Sequence, residues 1–294
     1  MLTEKSKLAL ALFCTLVPWA SAFAAIRAAL EGYPPGHLAL VRFVIASGTL
    51  LTYGILTRMG VPDLRDIPRL LFLGIMGITL YHVPLNYGEV TVSAGAASLL
   101  IATVPVFTAL FALLILREGL PPLGWVGMAI SFAGATLIAF GEGNALSFNT
   151  DALLILLAAV CESVYFVLQK DLLAKYGAVR FATYAVVGGT LGMLPFAPGV
   201  FTTLAQAPLH ATLSVVYLGV VPAAFSIVAW SYAIAHMKVS KVASMLYLSP
   251  VIAMGIAWVW LGEIPSLLTL GGGTVAILGV LLVYRSKNPD KTLS

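Results

Sequence analysis

An all-α polytopic membrane protein, with ten transmembrane helices arranged as two inverted five-helix repeats, is the fold this sequence predicts. Three observations lead there. Apolar residues make up 60% of the chain and charged ones 10%, with a mean hydropathy of +1.01. A soluble domain carries roughly a quarter charged residues, so this chain has too little polar surface for water. About twenty apolar residues cross a bilayer as a helix, and such runs occur ten times: 8–29, 37–57, 68–88, 94–116, 121–140, 151–174, 178–197, 210–233, 240–261 and 266–284. Finally, Leu73 to Leu137, moved forward by 145 positions, falls on Leu218 to Leu282 without a gap. Gly74 then meets Gly219, Tyr87 meets Tyr232, Pro105 meets Pro250, Glu118 meets Glu263, Gly127 meets Gly272 and Gly134 meets Gly279. Apolar stretches agree by chance, but Gly, Pro, Tyr and Glu punctuate membrane helices, and their recurrence marks a duplicated unit.

Charge gives the orientation. Lys5 and Lys7 precede the first run, Arg58, Arg65 and Arg69 separate runs two and three, and Arg117 follows run four. Lys170, Lys175 and Arg180 join runs six and seven, Lys238 and Lys241 join eight and nine, and Arg285, Lys287 and Lys291 follow the tenth. In a ten-span chain these fourteen of sixteen cations share one side. Cytoplasmic loops collect Lys and Arg, so both termini are expected in the cytoplasm. The basic balance thus reflects topology and gives no reason to invoke nucleic acid. Glu31, Glu89, Glu142 and Glu263 are assigned to loops on the other side.

Residues 1–25 have the outline of a signal peptide, with two lysines, an apolar run and Ala22-Phe23-Ala24. Cleavage would leave nine spans and break the pairing of the halves, so the stretch is read as the first span. Pro18 and Trp19 lie in its middle, where proline frees a carbonyl that a wet cavity or a neighbouring helix satisfies. Trp19 is therefore a candidate for a cavity wall.

In the second run Arg42 lies about two turns inside the outer boundary. A charge at that depth is a functional candidate, but a long side chain reaches the headgroups from there. Outward snorkelling is the expectation. The third run is the most polar of its half, with Tyr81, His82, Pro84, Asn86 and Tyr87. His82 and Asn86 are four apart and share a face. That face either bonds neighbouring helices or lines a cavity, and the proline favours the cavity.

The fourth run opens on Ala94, Gly95, Ala96, Ala97 and Ser98 and is interrupted at Pro105. The ninth repeats the arrangement with Ser240, Ala243, Ser244 and Pro250, and adds Tyr247. Runs five and ten carry small residues on one face: Gly124, Gly127, Ser131 and Gly134, then Thr269, Gly272, Ala276 and Gly279. Such stripes are where membrane helices touch, and these two are predicted to pack on each other.

The polar segment Gly141 to Thr150 marks the junction, giving repeats 1–145 and 146–294. Run six then carries Glu162, Tyr165 and Gln169 down one face. Glu162, the one carboxylate well inside a predicted span, is read either as a protonatable coupling or binding residue or as a partner for a nearby donor. Run eight carries Ser226, Trp230, Ser231 and Tyr232. Tyr232 and its mate Tyr87 either flank a shared site or anchor helix ends.

Five spans is an odd number, so the second copy enters the membrane from the opposite side. Inverted repeats are a recurring architecture of secondary transporters, with the substrate site between them near the bilayer midplane. The candidates for that site are Trp19, Tyr81, His82, Asn86, Glu162, Tyr165, Trp230 and Tyr247.

Ten spans in two five-span repeats resemble the drug/metabolite transporter superfamily in its EamA-like branch. The residues that carry the likeness are Pro250, Leu261-Gly262-Glu263, Gly272 and Gly279. Their first-half counterparts are Pro105, Leu116-Arg117-Glu118, Gly127 and Gly134, with Arg42-Phe43 and Ala46 in the second helix. Within the superfamily the chain is most similar to the YddG-type amino-acid exporters. That resemblance implies export of amino acids, aromatic ones among them, across a bacterial inner membrane. The second half has no arginine equivalent to Arg42, so any role of that residue is one-sided.

Other classes lack their signatures. There is no His-Glu-x-x-His, no Gly-x-Ser-x-Gly and no pair of intramembrane aspartates, so no enzyme is predicted. The absence of Gly-x-x-x-x-Gly-Lys argues against ATP-driven transport by this chain alone. Cys14 and Cys161 sit inside apolar runs and suggest no disulfide or metal, and no cofactor is called for. A channel would show rings of like residues from symmetric subunits. The expected partners are a small zwitterionic metabolite and membrane lipid. His82 or Glu162 is placed to bind or relay a proton if transport is coupled.

Overall fold

In the computed structural model of the chain, residues 3–91, 97, 100–117, 120–141, 150–261 and 267–286 are described. Glu118, Glu142, Gly262, Glu263, Lys287 and Lys291 lie outside these residues, as do most of the small stretch 94–98 and of the polar linker.

Among the described residues, each of the ten apolar runs corresponds to a helical rod. They are α1 (Glu4–Leu30), α2 (Pro35–Leu56), α3 (Ile67–Thr91), α4 (Val104–Leu116), α5 (Pro122–Gly141), α6 (Thr150–Leu168), α7 (Lys170–Gly192) and α8 (Leu209–His236). α9 covers 239–261 as Val239–Ala243, a 3-10 stretch Ser244–Leu248 and Ser249–Leu261, and α10 is Leu267–Arg285. Among the described residues, four of them (α1, α2, α3 and α8) are each long and apolar enough alone to cross a bilayer. α6 and α7 meet at a 90° bend, and Gly177 within α7 supplies the positive φ of 75° that re-aims the chain. The polarity is that of a membrane protein. Leu10, Phe13, Leu51, Leu114, Leu213 and Leu278 face outward, while Thr15, Thr79, Thr108, Thr183, Ser226 and Ser231 are buried. Water would not tolerate so wide an apolar surface.

Irregular backbone in the third helix of each half, and before each half's fourth-helix proline, falls at repeat-related places, while a π stretch at Ala112–Leu116 in α4 has no such mate in α9. A π-helical stretch interrupts α3 at Ile75–Thr79, and another interrupts α8 at Gly219–Phe225, the position 145 residues on. Pro105 and Pro250 each sit in the first turn of a helical segment, behind irregular or 3-10 backbone. Proline is at home there because the first-turn N–H has no intrahelical partner. Each proline thus begins a segment.

The halves are interleaved. α3 packs on α6 and α7, and its mate α8 packs reciprocally on α1 and α2. Gly74 and Gly219 permit this: a Cβ on Gly74 would meet the Ala185 carbonyl at 2.4 Å, and one on Gly219 the Arg42 carbonyl at 2.7 Å. α5 and α10 form the most extensive helix pair, as their small-residue stripes predict. Gly127 lies against Gly279 and Val283, and Gly134 against Ala276 and Gly272, so the two helices run antiparallel. Ser131 Oγ donates to the Ala276 carbonyl at 3.1 Å, its own mate at the 145-residue offset. A pair made of equivalent residues lies on the axis relating the two copies. Antiparallel helices around that axis are what an inverted repeat requires.

Candidate functional site

Where the halves meet, a cavity is lined by α1, α2, α3, α6, α8, α9 and the backbone before α4. Its open interior is about 60 Å³, room for a few water molecules. Among the eight residues predicted for the site, Trp19, Tyr81, His82, Glu162, Tyr165 and Trp230 line it.

Aromatic side chains form much of the wall. Trp19 and Trp230 lie with ring centroids 5.1 Å apart, Trp230 and Phe166 4.9 Å apart, and Tyr165 follows 6.0 Å from Phe166. In the wall as well, Tyr81 meets the His82 ring edge-on at 4.5 Å, and Phe43, buried behind the wall, meets the same ring at 4.5 Å. His82 Nδ1 pairs with the Ile78 carbonyl at 3.0 Å, which leaves its other nitrogen for a different partner. The Tyr81 hydroxyl turns to the Glu162 carboxylate. The Tyr165 hydroxyl and Trp230 Nε1 are buried without a hydrogen-bond partner.

The π-helical stretches shape both sides. In α8 the Ser226 N–H reaches back five residues to Val221, a shift that releases the Pro222 carbonyl. Trp19 Nε1 donates to that carbonyl at 3.1 Å. In α3 the equivalent stretch brings Gly77, the mate of Pro222, under the Tyr165 ring, where a Cβ would come within 2.2 Å of the ring carbon. Each half therefore places a ring from its first helix on the interrupted third helix of the other. Sequence gave no sign of this, since α-helical periodicity does not reveal a π turn.

Several expectations are corrected. Arg42 does not snorkel: it is 3% exposed, lines the cavity, and holds its guanidinium 5.3 Å from the Phe43 ring centroid. Its position near a helix end was legible, but not which way the side chain turns. Glu89 is no loop residue; it lies within α3, 5% exposed, with both oxygens unpartnered and Arg42 and Arg27 as the cations it faces. Asn86 is outside the cavity wall, and its Nδ2 donates to the Pro35 carbonyl at 3.2 Å, joining α3 to the start of α2. Tyr247 is fully buried in the apolar core, while its neighbours Leu246, Ser249 and Pro250 reach the cavity. Tyr87 and Tyr232 also lie away from it, Tyr87 exposed near Phe196 and Tyr232 hydroxyl donating to Glu4 at 3.4 Å. No His, Cys, Asp and Glu cluster fit for a metal occurs among the described residues.

Comparison with known proteins agrees with this architecture. The EamA-like transporter family model matches the chain twice, over residues 6–140 and 150–285. The chain is 46% identical over 270 residues to "Uncharacterized transporter YdfC" of Bacillus subtilis, covering 92% of this chain and 88% of that one. It is 43% identical to the "Probable terminal-alkyne amino-acid exporter" of Streptantibioticus cattleyicolor, covering 95% and 94% of the two chains. A crystal structure superposes with a TM-score of 0.76 at 21% identity, over 94% of this chain and 96% of the other, a likeness of fold.

Proposed function

We propose, from the premise that the chain belongs to the EamA-like transporter family, that it exports amino acids, aromatic ones included, from the bacterial cytoplasm by alternating access. The observation that carries this reading is the aromatic cavity at the meeting of two inversely oriented halves. Two copies of one fold with opposite orientation have inward-open and outward-open arrangements of similar energy, related by exchanging the conformations of the halves. The interrupted α3 and α8 supply a bending point in each half, and the reciprocal contacts of Trp19 and Tyr165 tie each bend to the other repeat. The relative named as an amino-acid exporter supports the substrate class.

Trp19, Tyr81, Tyr165 and Trp230 would hold the apolar part of the substrate, and their ring faces attract an ammonium. His82 and Glu162 are the titratable groups of the wall that would bind or relay a proton if export is coupled to one. The repeats divide at 145/146, and both termini are cytoplasmic in this reading of an inner-membrane protein.

The test is transport by purified protein in proteoliposomes loaded with labelled amino acids, with and without a pH gradient. Net amino-acid flux above empty vesicles supports the reading, and a gradient dependence assigns the coupling. Failure of every amino acid together with flux of a lipophilic cation would replace it with multidrug efflux.

A further inference from the structure

Resting on the amino-acid reading above, we infer that Arg42 is the site for the substrate's α-carboxylate and Glu162 the site for its ammonium, so that the cavity selects zwitterions and fixes their orientation. Arg42 is buried, lines the cavity, and has no acceptor for its Nε. The described residues place no carboxylate in ion-pair contact with it, Glu89 facing it from a greater distance. A guanidinium in the membrane interior is costly unless paired, and its planar fork matches a carboxylate through two parallel hydrogen bonds. Phe43 lies beside it, 5.3 Å from the guanidinium carbon to the ring centroid, and offers no competing acceptor.

Glu162 is the carboxylate among the cavity-lining residues, and it is 5% exposed. Its neighbour is the Tyr81 hydroxyl, and Tyr81 lies within electrostatic reach of Arg42 as well. Tyr81 thus lies near both charges. α2 and α6 run in the same direction in an alternating bundle. Arg42, two turns into α2, therefore lies nearer one membrane face, and Glu162, midway along the run 151–174, lies deeper. A zwitterion seated between them is oriented along the transport path. Val187 stands where the second repeat would carry the equivalent of Arg42, so the orientation is set by one half alone.

The experiment uses full-length protein in proteoliposomes and a panel of labelled L-amino acids. The best-transported one is then challenged with its decarboxylated amine and its deaminated acid; for L-phenylalanine these are phenethylamine and 3-phenylpropionate. In the wild type both analogues compete at least about ten times more weakly than the amino acid. Arg42→Gln raises the half-saturating amino-acid concentration about 10- to 100-fold, the amount carried by charge-assisted hydrogen bonds, and leaves inhibition by the amine unchanged. Glu162→Gln does the converse, weakening the amino acid and the amine while sparing the acid. Arg42→Lys, which keeps the charge and loses the fork, falls between and serves if Arg42→Gln does not elute as a single species. Equal weakening of amino acid and amine by Arg42→Gln, or no weakening, overturns the assignment while the amino-acid reading stands. If the wild type moves no member of the panel, that reading fails and takes the assignment with it.

Discussion

A single methyl group at Gly134 separates this helix arrangement from any looser one. The added Cβ of Gly134→Ala would sit 2.3 Å from the Ala276 nitrogen and 2.7 Å from the Ala276 Cα and the Gly272 carbonyl, all of them backbone atoms. Ordinary contact begins at 3.4 Å, so α5 and α10 must part by about an ångström. That movement stretches the Ser131–Ala276 hydrogen bond from 3.1 Å beyond bonding range. Overpacking of this kind costs about 1–3 kcal/mol, and an interhelical hydrogen bond in a membrane protein is worth about 0.6 kcal/mol. The helix-propensity gain of alanine returns up to ~1 kcal/mol, which leaves a net loss of about 1–3 kcal/mol. Gly271→Ala is the internal control: it lies on α10, the other helix of the pair, and its Cβ would meet nothing within 4 Å. It should be neutral or gain up to about 1 kcal/mol. Thermal unfolding of the detergent-solubilised proteins reads both, with a fall of roughly 3–8 °C expected for Gly134→Ala and none for Gly271→Ala. Equal stabilities of the two variants would refute the close antiparallel packing, and with it the axis through Ser131 and Ala276.

Other outcomes follow from the cavity and from the cytoplasmic connector. Trp19→Phe keeps an aromatic ring but removes the donor to the Pro222 carbonyl; transport should fall several-fold with a stability loss of about 1 kcal/mol, and wild-type values for both would show that the π stretch needs no cap. His82→Ala and Glu162→Gln should each lower flux in proteoliposomes without abolishing membrane expression; unchanged rates would remove them from the site. Lys175 pairs with Asp63 at 2.5 Å and Asp66 at 2.6 Å, and Tyr176 also donates to Asp66 at 2.5 Å. The Lys175 ammonium and Tyr176 hydroxyl hold the Asp66 carboxyl below its ordinary range. A group with a depressed folded pKa contributes above its unfolded pKa of about 4, and the contribution is lost as pH falls through the folded value. Hydrogen exchange in the 58–66 connector should therefore rise in the wild type only under acid conditions, and already at neutral pH in Lys175→Met. Identical exchange at pH 7 would show that the pair does not hold the connector.

Much of the fold was legible because membrane helices leave few signals, and those few are strong. The 145-residue offset located the helices that pair, and the stripes at Gly127, Ser131, Gly134, Gly272, Ala276 and Gly279 named the faces that touch. The site was legible only where one face of one helix decided the matter, as with Tyr81 beside His82 and Tyr165 beside Glu162. Periodicity gives a face but no depth or rotation relative to other helices. Arg42 was for that reason expected at the headgroups though it turns inward, and Glu89 was assigned to a loop that the extended α3 absorbs. Asn86 shares a helical face with His82, but four residues further along α3 that face meets Pro35 instead of the cavity. The π stretches were invisible because they insert a residue into the helical period without demanding a particular side chain.

The opposite orientation of the two halves is the claim on which alternating access depends, and one measurement addresses it directly. Reporter cysteines are introduced singly at the repeat-related positions Arg117→Cys and Gly262→Cys in a background with Cys14 and Cys161 replaced by alanine. Intact cells are then labelled with a membrane-impermeant maleimide. The account predicts that position 262 is labelled from outside and position 117 only after the membrane is permeabilised. Labelling of both from the same side would contradict it.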